Sequence, residues 1–424
     1  MASLPELPSV TKLSRYVTRI LGQNPSKFTL QGTNSYLVHH PSSPSLILLD
    51  TTGPSSTAAL SASEQQAYLS ALRSALAAHA VQPARVTDVV LTHWHRDHVA
   101  AVRGVVETLA QLRAEQGAKG EGEAVRVWKM PCSSEGGAWK SDEGRDGEVE
   151  ALLAGLGGDV VSPLDRITQV RPLEAGQRFV LGPSSLSPTS PLNATGEERL
   201  AEAVELEVIP TPGHTSDSIC LALRSLPSPA SSPSSSASHS APLLALFTAD
   251  TVLGHGTAVF ASLSAYLRSL GKLVELLQRG REGEGEVPLY SGHGEVVKDG
   301  LAKVREYKAH REERERQVVE ALRAGGKGKT ATASDLTDLI YASSIPASLK
   351  PAATHGLLLH LSKLEEDGCV VRVLTSSEVS AELEGKGEES HGEVVVPPGW
   401  ADGWRWCEGE GNVGSEVRNG AGRL

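Results

Sequence analysis

Short apolar runs with a period of two, broken by turn residues, open the chain and predict a β-meander over residues 16–21, 35–39 and 45–50. Residues 63–79 switch to helical spacing, with Tyr68, Leu69, Leu72 and Leu76 on one side, as expected of a helix laid over a sheet. A β-branched run at 86–92, a helical stretch at 99–115 and a strand at 125–130 follow. The pattern then returns to strands at 178–181, 204–210, 219–223 and 243–248. A helix over 264–279 carries Leu267, Leu270, Leu273, Leu276 and Leu277 on one face. Strands alternating with helices on either side of the middle predict an α+β fold of two packed sheets with helices outside, an αββα sandwich.

Polar interruptions divide this pattern. Gly- and charge-rich stretches at 117–122 and 133–147 and a Ser/Pro-rich stretch at 182–199 read as surface loops. Residues 225–242, almost entirely Ser, Pro and Ala, are expected to form an extended, disordered hairpin tip between two strands. After residue 300 the chain changes character. A long charged helix spans 300–324, a second helix starts near Thr330, a third covers 355–364, and a short strand follows at 369–373. These limits give a main domain over 15–300, a small helix-helix-strand module over 301–375, and a loose Glu/Gly-rich tail over 376–424. Trp400, Trp404 and Trp406 are expected to dock back from that tail.

The chemistry concentrates where the run at 86–92 ends, in Thr92-His93-Trp94-His95-Arg96-Asp97-His98. Side chains two apart on a strand point the same way, so His93 and His95 can grip one cation. Asp97 and His98 then fall on the turn into the next helix and face a second. Imidazole nitrogen with carboxylate oxygen suits borderline metals, zinc first, with iron and manganese also compatible. Three more potential ligands, His214, Asp250 and His293, each follow an apolar run and sit beside a small residue. Any one alone is more often a capping or buried polar group. It is the set that carries weight.

The order His-x-His-x-Asp-His, His, Asp, His resembles that of the metallo-β-lactamase superfamily. Asp50, closing Leu46-Ile47-Leu48-Leu49, resembles the superfamily's first motif, a strand ending in an aspartate that supports the metal site. Phe28-Thr29-Leu30-Gln31-Gly32-Thr33-Asn34-Ser35-Tyr36-Leu37-Val38 and Val252-Leu253-Gly254-His255-Gly256-Thr257-Ala258-Val259-Phe260 narrow the likeness to the lactamase-like protein 2 branch. That branch holds an animal endoribonuclease and fungal thioesterases that release polyketides from an acyl carrier protein, and His255 is closer to the fungal form. The resemblance implies the same sandwich followed by a winged-helix-like module, which the segment at 301–375 would supply. It departs from the pattern at Thr52, at Ala100 and Ala101 after His98, at Ala249 before Asp250, and at Ser291 before Gly292, none of which removes a ligand.

Carried over by position, the resemblance implies one zinc on His93, His95 and His214, another on Asp97, His98 and His293, and Asp250 between them. A dizinc-bound hydroxide would then attack a carbonyl or phosphorus centre, with Asp97 orienting it, Asp50 fixing a ligand and His255 lining the pocket or protonating the leaving group. The expected substrate is an acyl-carrier thioester or a related small molecule, with single-stranded RNA as the alternative. A net charge of -11 disfavours a constitutive nucleic-acid binder. Hydrophobic residues at only 39% fit a normal core diluted by insertions. Cys132, Cys220, Cys369 and Cys407 form no close pair, which suits a reducing compartment. No run is long enough to span a bilayer and no signal-peptide core follows Met1. The expected site is therefore the cytoplasm. Lys12, Arg15 and Arg19 in an acid-poor opening leave the mitochondrion as the alternative.

Overall fold

The structure, a computed structural model, describes residues 4–54, 61–81, 85–116, 125–133, 139, 142–154, 170–182, 203–226, 241–280, 285–326, 328–341, 345–373 and 402–407. The chain forms two compact units, Met1–Lys308 and Ala309–Leu424.

In the first unit, seven strands lie in sequence order: β1 (Val10–Lys12), β2 (Val17–Leu21), β3 (Asn34–His39), β4 (Ser45–Leu49), β5 (Arg85–Leu91), β6 (Arg126–Lys129) and β7 (Arg171–Pro172). The first four pair antiparallel, and β4 to β7 pair parallel. Between the parallel strands run α1 (Ala62–Ala77), α2 (Arg96–Val99), α3 (Val102–Glu115) and α4 (Arg145–Leu153). A Ser61/Glu64 capping box starts α1. The second sheet has the order β12-β11-β10-β9-β8, made of β8 (Arg178–Leu181), β9 (Ala203–Pro210), β10 (Ile219–Leu226), β11 (Leu243–Ala249) and β12 (Leu289–Ser291).

Strand alternation builds two cores from one sheet. Ile20, Leu46, Leu48, Val89 and Leu91 face the helices and pack with Tyr68, Leu72, Val102 and Val105. Val17, Val38, Ile47, Leu49 and Val90 face the second sheet and meet Leu206, Val208, Leu221 and Phe247. On the far side, α5 (Leu263–Gly280) covers the second sheet's other face; Tyr266 Oη donates to Thr251 O at 2.6 Å and Ser269 Oγ to Pro212 O at 2.7 Å. The layers are helix, sheet, sheet, helix.

The second unit begins inside α6 (Gly300–Ala324), later than the boundary at 300/301 expected from sequence. It holds β13 (Ala331–Thr332), α7 (Ala333–Tyr341), α8 (Lys350–Glu366), β14 (Val370–Val373) and β15 (Gly403–Trp406), with a sheet order β13-β15-β14. Trp404 is buried with Val318, Leu336, Leu357, Leu361 and Val370.

Three sequence expectations need amending. The segment 376–424 is not loose throughout, because Gly403–Trp406 is the central strand of that sheet and buries Trp404, as docking required. The stretch at 133–147 is not loop to its end, because α4 starts at Arg145 and its Val149 and Leu153 join the helix-side core. The insertion read as 225–242 starts later, since β10 reaches Leu226 and Ser225 N donates to Pro242 O at 3.0 Å. Residues 227–240, the loops at 117–122 and 183–199, and Trp400 lie outside the described residues.

Candidate metal centre

The ends of β5, β9, β11 and β12 converge at one edge of the sandwich. His93 and His95 follow β5, α2 carries Asp97 and His98, His214 stands on the β9–β10 turn, Asp250 follows β11, and His293 follows β12. Their donor atoms form three groups within 4.8 Å: His93, His95 and His214; His93, His98 and Asp250; Asp97, His98 and His293. All seven residues expected as ligands are therefore brought together.

Hydrogen bonding fixes the tautomers on the first side. His214 Nδ1 lies 2.8 Å from Val259 O, a pure acceptor, so its proton is on Nδ1. His93 Nδ1 lies 3.0 Å from Thr92 Oγ1, whose own proton goes to Asp50 Oδ2 at 2.8 Å. His93 therefore donates through Nδ1 as well. The Nε2 lone pairs of both rings point at His95 Nδ1, at 2.9 Å from His214 and 3.1 Å from His93. Three imidazole nitrogens facing one another fit a shared cation. Burial and the neighbouring imidazoles His98, His95 and His214 hold His93 well below its ordinary pKa; burial and His214 hold His95 down to about 3. Both are neutral, as ligands must be.

The second side is dominated by carboxylates. His98 Nδ1 donates to Asp50 Oδ2 at 2.9 Å, so its Nε2 faces Asp250 Oδ1 at 3.4 Å and Asp97 Oδ2 at 3.7 Å. His293 Nε2 lies 3.2 Å from Asp97 Oδ2 and 3.4 Å from Asp250 Oδ2. Burial opposes charge on His98 and His293, but the carboxylates outweigh it: His98 rises well above its ordinary pKa and His293 to about 9. Burial likewise opposes charge on Asp250, but His293 and His98 outweigh it and hold the carboxyl well below its usual range. Asp250 Oδ2 also lies 3.7 Å from His214 Nε2, so this one carboxylate reaches both sides.

Residues without a ligand role in the sequence reading hold this geometry. Asn34 Nδ2 donates to Ser291 O at 3.0 Å and Gly294 O at 2.8 Å, and Tyr36 Oη donates to Ser291 O at 2.6 Å, clamping the backbone on either side of His293. Their spacing of two gave them one face of β3, but nothing local named a partner on β12. Gly292 has to be glycine, because a Cβ there would sit 2.3 Å from Asp250 Oδ1.

Residues 28–112 match the family model for the metallo-beta-lactamase superfamily, and residues 332–377 match that for the beta-lactamase associated winged helix domain. A beta-lactamase-like protein 2 homolog of Caenorhabditis elegans is 30% identical over 370 residues, covering 87% of this chain and 91% of that protein. The chain belongs to the metallo-β-lactamase superfamily. An atrochrysone carboxyl ACP thioesterase of Passalora fulva is 27% identical over 373 residues, covering 87% of this chain and 81% of its own length. In fold, a beta-lactamase domain protein from Burkholderia ambifaria superposes with a TM-score of 0.54 at 17% identity, covering 95% of each chain.

As a hydrolase of that superfamily, the chain carries a cluster suited to divalent metal, zinc in the typical case. Its departures from the superfamily pattern are absorbed locally. Ala249 takes φ +43°, a left-handed conformation that glycine adopts without strain. Thr52 is buried and donates through Oγ1 to Gly22 O at 2.7 Å. Ala101 packs into the helix-side core. Above the cluster opens a cleft of about 590 Å³. Phe28, Leu30, Leu253, Ala258 and Val259 give it apolar walls, and Lys27, Arg96 and Arg145 also line it. Arg145 stacks on Trp94 at 4.3 Å. His255 is exposed on the cleft wall, outside the converging donor set, and Asp50 is buried beneath His98 rather than facing the cleft. Among the described residues, no helix is long and apolar enough to cross a membrane.

Proposed function

We propose that the chain is a thioesterase that cleaves acyl-carrier thioesters with two divalent ions, zinc by ligand type. His93, His95 and His214 would hold one ion, Asp97, His98 and His293 the other, and Asp250 would serve both. Bound there, the ions supply an acidified water as nucleophile and polarise the carbonyl oxygen under attack. The protein's own residues do the rest. Asp97, at the cleft floor, accepts and orients the proton of the attacking water, while Asp50 acts through His98 by fixing its ring, as a positioning residue. His255, exposed on the cleft wall, would line the pocket or protonate the leaving thiolate.

The observation that carries this reading is the cleft itself. A volume of about 590 Å³ suits an acyl group. Phe28 and Val259 stand 62% and 65% exposed at its mouth, apolar surface that an acyl chain would cover. The thioesterase relative supports the choice of substrate. A second reading, cleavage of single-stranded RNA, draws on Lys27, Arg96 and Arg145 in the same cleft, which can meet a phosphate, and on Phe28 as a stacking platform.

Catalytic efficiency of zinc-reconstituted protein on an acyl-carrier thioester and on a labelled single-stranded RNA, with Asp250→Ala as the blank, separates the two. The thioester is expected to win at moderate salt. RNA cleavage lost in the blank, with thioesters untouched, would transfer the function to the second reading.

A further inference from the structure

A buried ion-pair network lies beside the cluster and is not needed to explain any ligand directly. Lys129 closes β6 on the same face as Val127 and is 2% exposed, an unusual place for an ammonium. Its Nζ lies 2.7 Å from Asp217 Oδ2, itself fully buried, and donates to Asp146 Oδ1 at 2.6 Å and to Met130 O at 2.8 Å. The cost of burying this charge is offset only by such close partners.

The partners lead straight to His214. Asp217 accepts from Thr215 Oγ1 at 2.7 Å through its other oxygen, and Thr215 N donates to Ser218 Oγ at 3.1 Å. Ser216 N donates to Asp142 Oδ2 at 2.7 Å, just before α4. On the opposite side, Gly213 at φ +151° lies against Tyr266, where a Cβ would come within 2.5 Å of the Tyr266 Cα. The turn that carries His214 is thus wedged between α5 and a lysine on the other sheet. Its ring has a single backbone anchor, Val259 O, so the rest of its placement comes from the turn. His93 and His95, by contrast, follow directly from β5.

We propose that Lys129, through Asp217, is a positioning residue that seats His214 against His93 and His95 and so sets the affinity of that side of the cluster for its ion. The proposal rests on the ligand role given to His214 above. Hydrogen-bonding partners behind a ligand typically change metal affinity by about 10- to 100-fold when removed. The same ammonium holds Asp146, next to Arg145 on the cleft wall, so one buried charge ties a ligand turn to the substrate wall.

The test is a Co²⁺ titration of metal-free full-length protein, followed by visible absorbance, with His214→Ala identifying the step that belongs to the three-imidazole side. Wild type should take up two ions. Asp217→Asn keeps the shape and loses the ion pair, and should weaken that step by about 10- to 100-fold while the other stays within about threefold. Lys129→Met with Asp217→Asn removes both charges together, so it tests the same point if the single variant folds poorly. Leu72→Ala, a core change on the buried face of α1, should lower the melting temperature and leave both affinities unchanged. Unaltered affinities in folded Asp217→Asn or in the double variant would overturn the proposal, as would an equal loss in Leu72→Ala. Wild type binding no Co²⁺ would overturn the ligand reading itself, and the proposal with it.

Discussion

His93, His95 and His214 meet around converging lone pairs, whereas Asp97, His98, His293 and Asp250 meet around two carboxylates. On the imidazole side, burial and the neighbouring imidazoles hold His93 and His95 below their ordinary pKa. On the carboxylate side, Asp250, Asp97 and Asp50 outweigh burial and raise His98, and Asp250 and Asp97 raise His293, so positive charge is favoured there. Their supports differ as well. Backbone carbonyl, threonine hydroxyl and the distant Lys129 network orient the first side. One buried aspartate, Asp50, and the Asn34–Tyr36 clamp orient the second. Each side thus has supports of its own, Lys129 for one and the Asn34–Tyr36 clamp for the other, while Asp50 reaches both, holding His98 directly and His93 through Thr92; a change to Lys129 or Asn34 should be felt mainly on its own side.

Asp250 breaks the comparison, because it touches both sides, and its removal should have the largest effect. Metal polarisation contributes several kcal/mol to such reactions, and about 1.4 kcal/mol is a decade of rate. Asp250→Ala should therefore lower hydrolysis by roughly 10³-fold with the sandwich still folded, checked by steady-state rates and circular dichroism. Asp50→Asn sharpens the comparison. It should weaken the ion of the carboxylate side most, by about 10- to 100-fold in a metal titration, since His98 loses its charged acceptor, and that of the imidazole side less, through Thr92 and His93.

His255 should matter less. It is exposed on the cleft wall, so His255→Ala is expected to lower kcat/KM by less than about tenfold, below the 10²- to 10⁴-fold of a general acid. A larger loss confined to kcat would make it the leaving-group acid. Ala249→Gly should be the mildest change. Relief of left-handed strain, about 1 kcal/mol, nearly cancels the greater freedom of an unfolded glycine, so thermal unfolding should shift by the equivalent of less than about 1 kcal/mol, toward stability.

The site was legible in sequence where ligands sit at strand ends. The run that forms β5 carries His93 and His95 to the edge of the sheet, though they lie in the bend after Leu91 and not in the strand alternation expected of them, and apolar runs deliver His214, Asp250 and His293 to the same edge. The αββα layering followed from the same alternation. What stayed hidden depends on partners remote in sequence. Lys129 reads as an ordinary charged strand end until Asp217 is beside it. Asn34 and Tyr36 pair with a carbonyl 257 and 255 residues away. Gly403–Trp406 is too short, and opens on a glycine, to read as a strand, and is made one by β13 and β14 on its two sides. Ala249 shows the converse: the departure was visible in sequence, and only its backbone angle explains why glycine is usual there.

The central claim is that two complementary sides each hold one ion. The most direct measurement is zinc content per chain by mass spectrometry after reconstitution and desalting, for wild type and for His95→Ala. Close to two ions in wild type and close to one in the folded variant is the expected result. A fully active wild type carrying one ion, or a folded protein carrying none, would contradict it.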